Sequence, residues 1–139
     1  MKKILIFAFL IASCGKQIEN PCTVPQSSQN GSYNVILDEL EGNCGTIGEL
    51  EVDIKDGVIY PDNNLGCEKP TITWWGDMCK TKSVFNCDDG SWKTKMTWNI
   101  LSDPENPKRI YGSLTTEMSR FGGVYTCISV YRLEGSRVN

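Results

Sequence analysis

Histidine is missing from this chain of 139 residues, and its 14 Lys and Arg side chains are outnumbered by 17 Asp and Glu. Without an imidazole group the chain cannot form a Ser-His-Asp triad, a Cys-His dyad or a histidine metal site. A net charge of −3 also argues against nucleic-acid binding, which needs a basic surface for the phosphates. We therefore expect no nucleic-acid partner.

Motifs for catalysis and for cofactor binding are equally scarce. The chain has no glycine-rich phosphate loop and no G-x-S-x-G sequence. Its seven cysteines include no C-x-x-C pair, so a zinc site is not expected. The carboxylates could supply the pair that a glycosidase needs, but the pattern singles out no two of them. The sequence thus predicts no enzyme, no cofactor and no bound metal.

The long apolar run of the chain lies at its start, where Lys2 and Lys3 precede nine apolar residues, 4–12. A membrane-spanning helix needs about 20 apolar residues, so this run is too short to cross a bilayer. A basic start followed by a short apolar stretch and small residues is the pattern of a secretory signal peptide. We therefore expect the chain to be exported.

The residues at the end of this leader, Ile11-Ala12-Ser13-Cys14, resemble the lipobox of bacterial lipoproteins. The resemblance implies that the leader is cut just before Cys14, that the Cys14 thiol carries a diacylglycerol, and that the new amino group is often acylated. Two or three acyl chains anchor a protein stably to a membrane, whereas one chain binds only reversibly. In many Gram-negative lipoproteins, an Asp directly after the lipidated cysteine retains the protein at the inner membrane. This chain has Gly15 at that position, so the resemblance favours the outer membrane.

The cysteine count becomes even once Cys14 is assigned to the lipid. Removal of residues 1–13 leaves 12 basic and 17 acidic side chains, and six further cysteines in an oxidising compartment predict three disulfides. These disulfide candidates are Cys22, Cys44, Cys67, Cys79, Cys87 and Cys127. Sequence alone leaves the connectivity open, but local spacing favours the pairs Cys79–Cys87, Cys44–Cys67 and Cys22–Cys127.

Alternation of apolar and polar residues with a period of two dominates the chain after residue 31. In residues 49–55 apolar and charged side chains alternate without exception, and Asp56-Gly57 directly after them is a strong hairpin signal. Comparable patterns predict strands near residues 33–38, 49–55, 58–60, 71–75, 92–100, 110–118 and 124–133. No stretch after the leader has a helical pattern.

About seven strands joined by short turns predict an all-β fold, an antiparallel meander stapled by disulfides. Its edges must be closed or covered, so we expect a small barrel or a two-sheet sandwich, with the barrel favoured. Gly31 and Tyr33 form a Gly-x-Tyr sequence that is similar to the opening strand of lipocalin-type barrels. The chain then divides into a signal peptide (1–13), a lipidated cysteine with a tether (14–31) and a single all-β domain (32–139).

Trp74 and Trp75 are candidate ligand-binding residues. Adjacent residues of a strand point to opposite faces of the sheet, so one of the two indoles lies away from the face that the other occupies. An exposed indole beside Gly76 would suit stacking on a sugar or clamping a peptide. The alternative is that a barrel mouth or a disulfide loop covers it.

Charge is distributed unevenly along the chain. Residues 14–79 carry three basic and eleven acidic side chains, whereas residues 80–139 carry nine basic and six acidic ones. One predicted strand face carries an acidic stripe made of Glu49, Glu51 and Asp53. Another carries a basic stripe made of Lys93 and Lys95. Such stripes either steer a charged partner or are ordinary solvated strand faces, and we favour the second interpretation.

Two segments rich in oxygen ligands, Asp62-Asn63-Asn64 and Asp88-Asp89-Gly90, have side chains of the kind that bind calcium. Neither matches the spacing of a calcium-binding loop, and Asp, Asn and Gly are common in turns. We therefore predict turns at both segments.

These features predict a lipid-anchored protein of the bacterial envelope with a binding or structural role, whose partner is an unidentified protein or small ligand. Two other functions stay open. An inhibitor of a secreted hydrolase, of the lysozyme or protease type, would need a rigid exposed loop, for which the segment between Cys79 and Cys87 with Lys80 and Lys82 is the candidate. A small-ligand carrier would need a lined cavity in an open barrel.

Overall fold

The structure, a computed structural model, describes Cys22 and residues 24–138. These residues form one antiparallel sheet of eight strands and contain no α-helix. The strands are β1 (Gly31–Gly42), β2 (Gly48–Lys55), β3 (Val58–Ile59), β4 (Thr71–Trp75), β5 (Lys80–Asp88), β6 (Trp92–Ser102), β7 (Arg109–Arg120) and β8 (Tyr125–Arg137). Short 3-10 helices span Gln26–Gln29, Asn63–Leu65 and Gly76–Met78. The expected signal peptide and lipidation site Cys14 lie outside the described residues.

The strands follow the order β3-β2-β1-β8-β7-β6-β5-β4 across the sheet. β1 pairs with both β2 and β8, so the first and last long strands are neighbours, and the sheet is nearly closed as a barrel. β3 and β4 are the two ends of the sheet, and β3 packs against β5 and β6 without a ladder to β4. The predicted antiparallel all-β barrel is confirmed, and we call the gap between the sheet ends the seam.

Side-chain alternation decides which residues fill the barrel. In β1, Tyr33, Val35 and Leu37 are buried while the residues between them are exposed, as predicted. The buried core combines residues from six further strands with these three: Ile54, Val58, Ile59, Phe85, Cys87, Trp98, Ile100, Ile110, Leu114, Tyr131 and Leu133. Burial of a large apolar side chain contributes about 1.5–3 kcal/mol, so this inner face holds the fold together.

β5 occupies the segment that the sequence suggested was a loop between Cys79 and Cys87. Its inward face includes the small polar residues Thr81 and Ser83, both fully buried, beside Phe85. Because this face is not uniformly apolar, the hydrophobic pattern does not mark the strand, and eight strands form rather than about seven. Lys80 and Lys82 therefore lie on a strand in the sheet and not on an inhibitory loop.

The cysteine pairing differs from the expected one at every bridge. The six cysteines form three pairs, Cys22–Cys79, Cys44–Cys127 and Cys67–Cys87, with Cα atoms 5.4, 5.1 and 3.8 Å apart. Cys79 directly precedes β5 and Cys87 is its penultimate residue, so the two lie about 26 Å apart at about 3.3 Å per residue and no bond can join them. The expected pairs Cys79–Cys87, Cys44–Cys67 and Cys22–Cys127 are wrong, because β5 separates Cys79 from Cys87 and the pairing of β1 with β8 brings Cys44 to Cys127.

The 3-10 helix Gln26–Gln29, which we call the N-terminal plug, closes one end of the barrel. Gln29 is fully buried, and its side-chain amide donates to the carbonyls of Cys79 (3.2 Å) and Ile100 (3.5 Å). Its side-chain oxygen accepts from the Thr81 hydroxyl at 2.8 Å. Burial of an amide is tolerated when its polar atoms are paired in this way.

The plug also binds the opposite side of the seam. Gln26 donates to the carbonyl of Asp56 at 2.7 Å, and the Asp56 N–H donates to the side chain of Asn30. Cys22 is fixed beside the plug by its disulfide and by a backbone hydrogen bond to Asp77 (3.0 Å). Residues 24–30 of the expected tether thus pack on the barrel, and the packed domain begins before residue 32.

Candidate functional site

The end of the barrel opposite the plug is open and contains a cavity of about 590 Å³, which we call the cup. Stretches of four neighbouring strands form its wall: residues 86–88 of β5, 93–95 of β6, 117–119 of β7 and 126–128 of β8. The middle residue of each stretch continues the buried face of its strand and so faces inward: Cys87, Thr94, Met118 and Cys127.

The inward face of the cup is mostly apolar, and five charged side chains also line the cup: Glu68, Asp88, Lys93, Lys95 and Glu117. Met118 and the two disulfides at Cys87 and Cys127 provide sulfur and methyl surface, and Thr94 adds a hydroxyl. One inward position deeper on β7, the buried Thr116 hydroxyl has no hydrogen-bond partner among the described residues. Ligand sites commonly have volumes of about 300–1,000 Å³ with a few polar groups in an apolar lining. The cup fits a compact ligand that has an apolar part for the inward face and polar groups for the charged side chains of the lining.

A second cavity of about 390 Å³ adjoins the cup and shares Met118, Thr126 and Cys127 with it. Trp92 lines this second cavity, and the guanidinium of Arg120 lies over the Trp92 ring at 5.2 Å from its centroid. This cation–π contact holds a positive charge at the mouth of the barrel.

The loop between β1 and β2 forms a well-fixed part of the rim. The N–H of Cys44 donates to the Ser129 hydroxyl at 2.8 Å, and that hydroxyl donates to the carboxylate of Glu39 at 2.6 Å. The Tyr131 hydroxyl donates to the carbonyl of Gly45 at 2.6 Å. Together with the disulfide of Cys44, these hydrogen bonds hold the loop against β8.

The turn between β7 and β8 is apolar and exposed at the same end of the barrel. We call residues 121–125 the hairpin tip; within it Phe121, Val124 and Tyr125 are 62%, 75% and 60% exposed. The rings of Phe121 and Tyr125 meet edge to face at 5.9 Å, and Arg120 lies 4.5 Å from the Phe121 centroid. Contiguous exposed apolar side chains beside a cavity are typical of an interaction surface.

Trp74 and Trp75 lie on β4, outside the cup. Trp74 pairs with Thr81 and faces the barrel side, where it is half-buried, whereas Trp75 pairs with Lys80 and faces outward. The Lys80 ammonium lies 5.2 Å above the Trp75 ring. The predicted opposition of the two indoles is confirmed, and their proposed ligand role concerns a different surface from the cup.

The two charged stripes lie on exposed strand faces, as expected. Lys95 of the basic stripe forms a cross-strand ion pair with Glu117 at 3.8 Å. In the part of the chain that the structure describes, no carboxylate of the acidic stripe on β2 lies within ion-pair distance of a basic side chain. The acidic stripe therefore leaves its charge in solvent.

The oxygen-rich segments act as turn caps. Asp62 accepts the N–H of Asn64 at 3.0 Å at the start of the second 3-10 helix. Asp89 accepts the N–H groups of Trp92 (2.7 Å) and Ser91 (2.8 Å), and these hydrogen bonds lower the pKa of Asp89 from its ordinary value of 3.8. Hydrogen bonds to the charged form favour it, so the carboxylate stabilises the turn between β5 and β6.

No family model, curated protein or solved structure matches this chain. Among the described residues, no helix has the length and apolar character that crossing a membrane would demand.

The sequence did not indicate the residues that make the open end. Met118 and Thr94 fall within predicted strands (110–118 and 92–100), but their position beside two disulfides depends on the pairing of distant strands. The hairpin tip carried a signal, because three large apolar residues flank Gly122 and Gly123 in a turn, where polar residues are the norm. Exposed apolar side chains in a turn could have identified this surface from the sequence.

Proposed function

We propose that the protein is a lipid-anchored lipoprotein of the bacterial envelope, at the outer membrane if the cell is Gram-negative, and that it binds a partner through the open end of its barrel. The sequence Ile11-Ala12-Ser13-Cys14 supports the anchor. The proposed role is binding rather than catalysis, and the partner is a protein or a small ligand.

The contrast between the two ends of the barrel is the observation that carries this proposal. Cys22, the first described residue, is fastened at the closed end by its disulfide to Cys79 and its hydrogen bond to Asp77. The cup lies at the other end of β5, about 26 Å away along the strand. A chain anchored ahead of Cys22 therefore has its plugged end towards the membrane and its cup and hairpin tip away from it.

Site-specific photo-crosslinking in living cells tests this arrangement. A photoreactive residue at Val124 is expected to crosslink to a partner, because Val124 lies on the exposed hairpin tip. The same residue at Lys108, an exposed position in the loop between β6 and β7 at the closed end, serves as the control. Equal crosslinking from both positions, or crosslinking from Lys108 alone, would refute binding at the open end.

The volume of the cup favours a small ligand as its occupant. Native mass spectrometry of the protein purified from its own cells would detect a bound ligand. Thr94→Phe fills the cup and is expected to remove that ligand, whereas Thr97→Phe places the same ring on the outward face of β6. A ligand retained by Thr94→Phe would place its site elsewhere.

Inhibition of a secreted hydrolase is the second candidate function, and the hairpin tip favours it. Its two rings and one branched side chain protrude from a disulfide-held scaffold, which suits insertion into a substrate cleft. A panel of lysozymes and proteases would be assayed with the wild-type chain and with Val124→Asp, using Val138→Asp, an exposed valine at the closed end, as the control. Absence of inhibition across the panel, or inhibition equally weakened by both variants, would argue against this function.

A further inference from the structure

β4 is hydrogen-bonded along one side only. Its pairing with β5 runs from Thr71 opposite Val84 to Trp75 opposite Lys80. On the other side, its backbone has no partner among the described residues, since β4 is an end of the sheet. Such a row of free N–H and C=O groups is a template for another extended segment.

The composition of this edge sets it apart from the other free edge of the barrel. On β2, the ladder to β3 covers Ile54 and Lys55 alone, so the rest of that strand is also unpaired on one side. Three carboxylates line the outer face there, and charged side chains are a common protection of a free edge. β4, with the sequence Thr-Ile-Thr-Trp-Trp, has no charge, proline or glycine. It is an unprotected edge made of strong β-formers.

The barrel-side face of this edge is apolar and accessible. Ile72, which pairs with Ser83 and so shares the inward face, is 43% exposed. Trp74, the next residue on that face, is half-buried. An incoming strand would place every second side chain beside these two residues, and apolar side chains would bury the most surface there.

The outer face beside the edge is basic. Lys82 pairs with Thr73, and Lys80 pairs with Trp75 and lies over its ring. Neither ammonium lies within ion-pair distance of a carboxylate among the described residues. The outward side chains of an incoming strand would lie near these two charges, where acidic residues complement them.

We propose that β4 binds an extended segment of a partner protein in which apolar residues alternate with acidic ones, and that this segment joins the sheet as an additional strand. Main-chain hydrogen bonds to the free edge supply affinity, and the alternating faces supply specificity. The site is separate from the cup and the hairpin tip, so it does not depend on the function proposed for the open end.

A synthetic peptide provides a defined probe for this site. Residues 48–55 of this chain have the required alternation of apolar and acidic side chains, so a capped peptide of that sequence is the probe. A control peptide carries Lys in place of Glu49, Glu51 and Asp53. The full mature chain is expected to bind the probe at least about tenfold more tightly than the control, with an affinity that falls as salt is added.

Hydrogen exchange separates strand addition from other kinds of binding. Addition of the probe is expected to protect the amides of β4 and to leave the exchange of the hairpin tip unchanged. Binding without protection of β4 would overturn the proposal. Concentration-dependent dimerisation through β4 in sedimentation, with no effect of the probe, would also overturn it and assign the edge to a second copy of the chain.

Substitutions then test the two faces. Lys80→Glu combined with Lys82→Glu is expected to weaken the probe about tenfold, whereas Lys108→Glu with Arg109→Glu makes the same charge change away from the edge. Ile72→Lys, an inward-pointing charge at the edge, is expected to abolish binding, and Ile36→Lys on the exposed face of β1 is its control. Unaltered binding by the double charge reversal, in a chain whose circular dichroism matches that of wild type, would refute the proposal.

Discussion

A buried glutamine fastens the plug to the barrel. The side chain of Gln29 forms hydrogen bonds to Cys79, Ile100 and Thr81, which lie together at the closed end of the β5–β6 ladder. These partners are buried, so an apolar residue at position 29 would leave them without a hydrogen bond, and water could not reach them to form a new one. The polar character of residue 29 is therefore a structural requirement of the fold.

Gln29→Leu is expected to lower the free energy of unfolding by about 1–3 kcal/mol, the usual cost of leaving buried hydrogen-bonding groups unpaired. Urea denaturation measures the change. Gln26→Leu is the matched control, because the hydrogen bond of Gln26 to Asp56 is exposed and its loss should cost less. Equal destabilisation by the two variants would contradict the role assigned to Gln29.

Asp89 gives the turn between β5 and β6 a dependence on pH. The N–H groups of Trp92 and Ser91 hold its folded-state pKa below the ordinary value of 3.8. A group whose pKa is lowered by folding stabilises the protein above its unfolded pKa, and this contribution is lost as the pH falls through the folded pKa. The stabilising contribution is therefore complete at neutral pH and disappears in strong acid.

Asp89→Asn is accordingly expected to be less stable than wild type at neutral pH, with a difference that shrinks as the pH falls below 3.8. Urea midpoints of both proteins across this range measure the effect, and Glu105→Gln, an exposed carboxylate in another loop, is the control. A difference that stays constant with pH would show that the charge of Asp89 is not involved.

At the scale of elements, alternation predicted the strands whose inner faces are apolar. β2 illustrates this, because its charged and apolar residues alternate without a fault and Asp56-Gly57 ends it in a turn. β5 was missed because Thr81 and Ser83 fill two of its inward positions, which are buried but polar. The expected disulfide pairs failed partly for the same reason, since β5 separates Cys79 from Cys87, whereas Cys44 meets Cys127 because β1 pairs with β8.

The candidate site was less predictable than the fold. Its inward residues come from four strands, and their proximity follows from the register of the ladders and from disulfides that sequence alone does not specify. Trp74 and Trp75 were selected because they are adjacent on a predicted strand, and the structure places them on the free edge of the sheet rather than at the cavity. Local patterns report which face of a strand is buried, whereas a site requires knowledge of which strands meet.

The plug is the element whose attachment can be tested separately from the barrel. Cys22→Ser combined with Cys79→Ala removes a disulfide between residues 57 positions apart, and a loss of about 2–4 kcal/mol is expected. Hydrogen exchange should accelerate in residues 24–30 while β7 and β8 stay protected. The matched variant, Cys44→Ser with Cys127→Ala, should instead accelerate hydrogen exchange at the rim of the cup. If the first variant accelerated exchange throughout the barrel, the plug would not be a separable element.

For the whole molecule, the proposed anchor and the fold together determine orientation. Cys22 lies eight positions after Cys14, and eight residue steps reach at most about 29 Å. A lipid on Cys14 therefore keeps the plugged end of the barrel close to the membrane. The open end then faces away from the bilayer, where a partner has access to it.

Cys14→Ser is expected to abolish acylation and processing of the leader. Mass spectrometry of the membrane fraction measures both, and Cys22→Ser is the control, since it alters a cysteine that should carry no lipid. Acylation that persists in Cys14→Ser would refute the proposed anchor, and it would leave the open end as a binding surface of unknown orientation.

The bridge between Cys22 and Cys79 also decides where a mechanical load enters the fold. A pull on the chain ahead of Cys22 passes through a covalent bond to the start of β5, a strand paired with β4 on one side and β6 on the other. The plug follows Cys22 in the chain, so the disulfide carries the force to β5 before the force reaches the plug. The hydrogen bonds of the plug are therefore not broken one after another. Tension between a held N-terminus and a partner at the far rim would instead load the ladders of β5 along their length, so the barrel resists being pulled open.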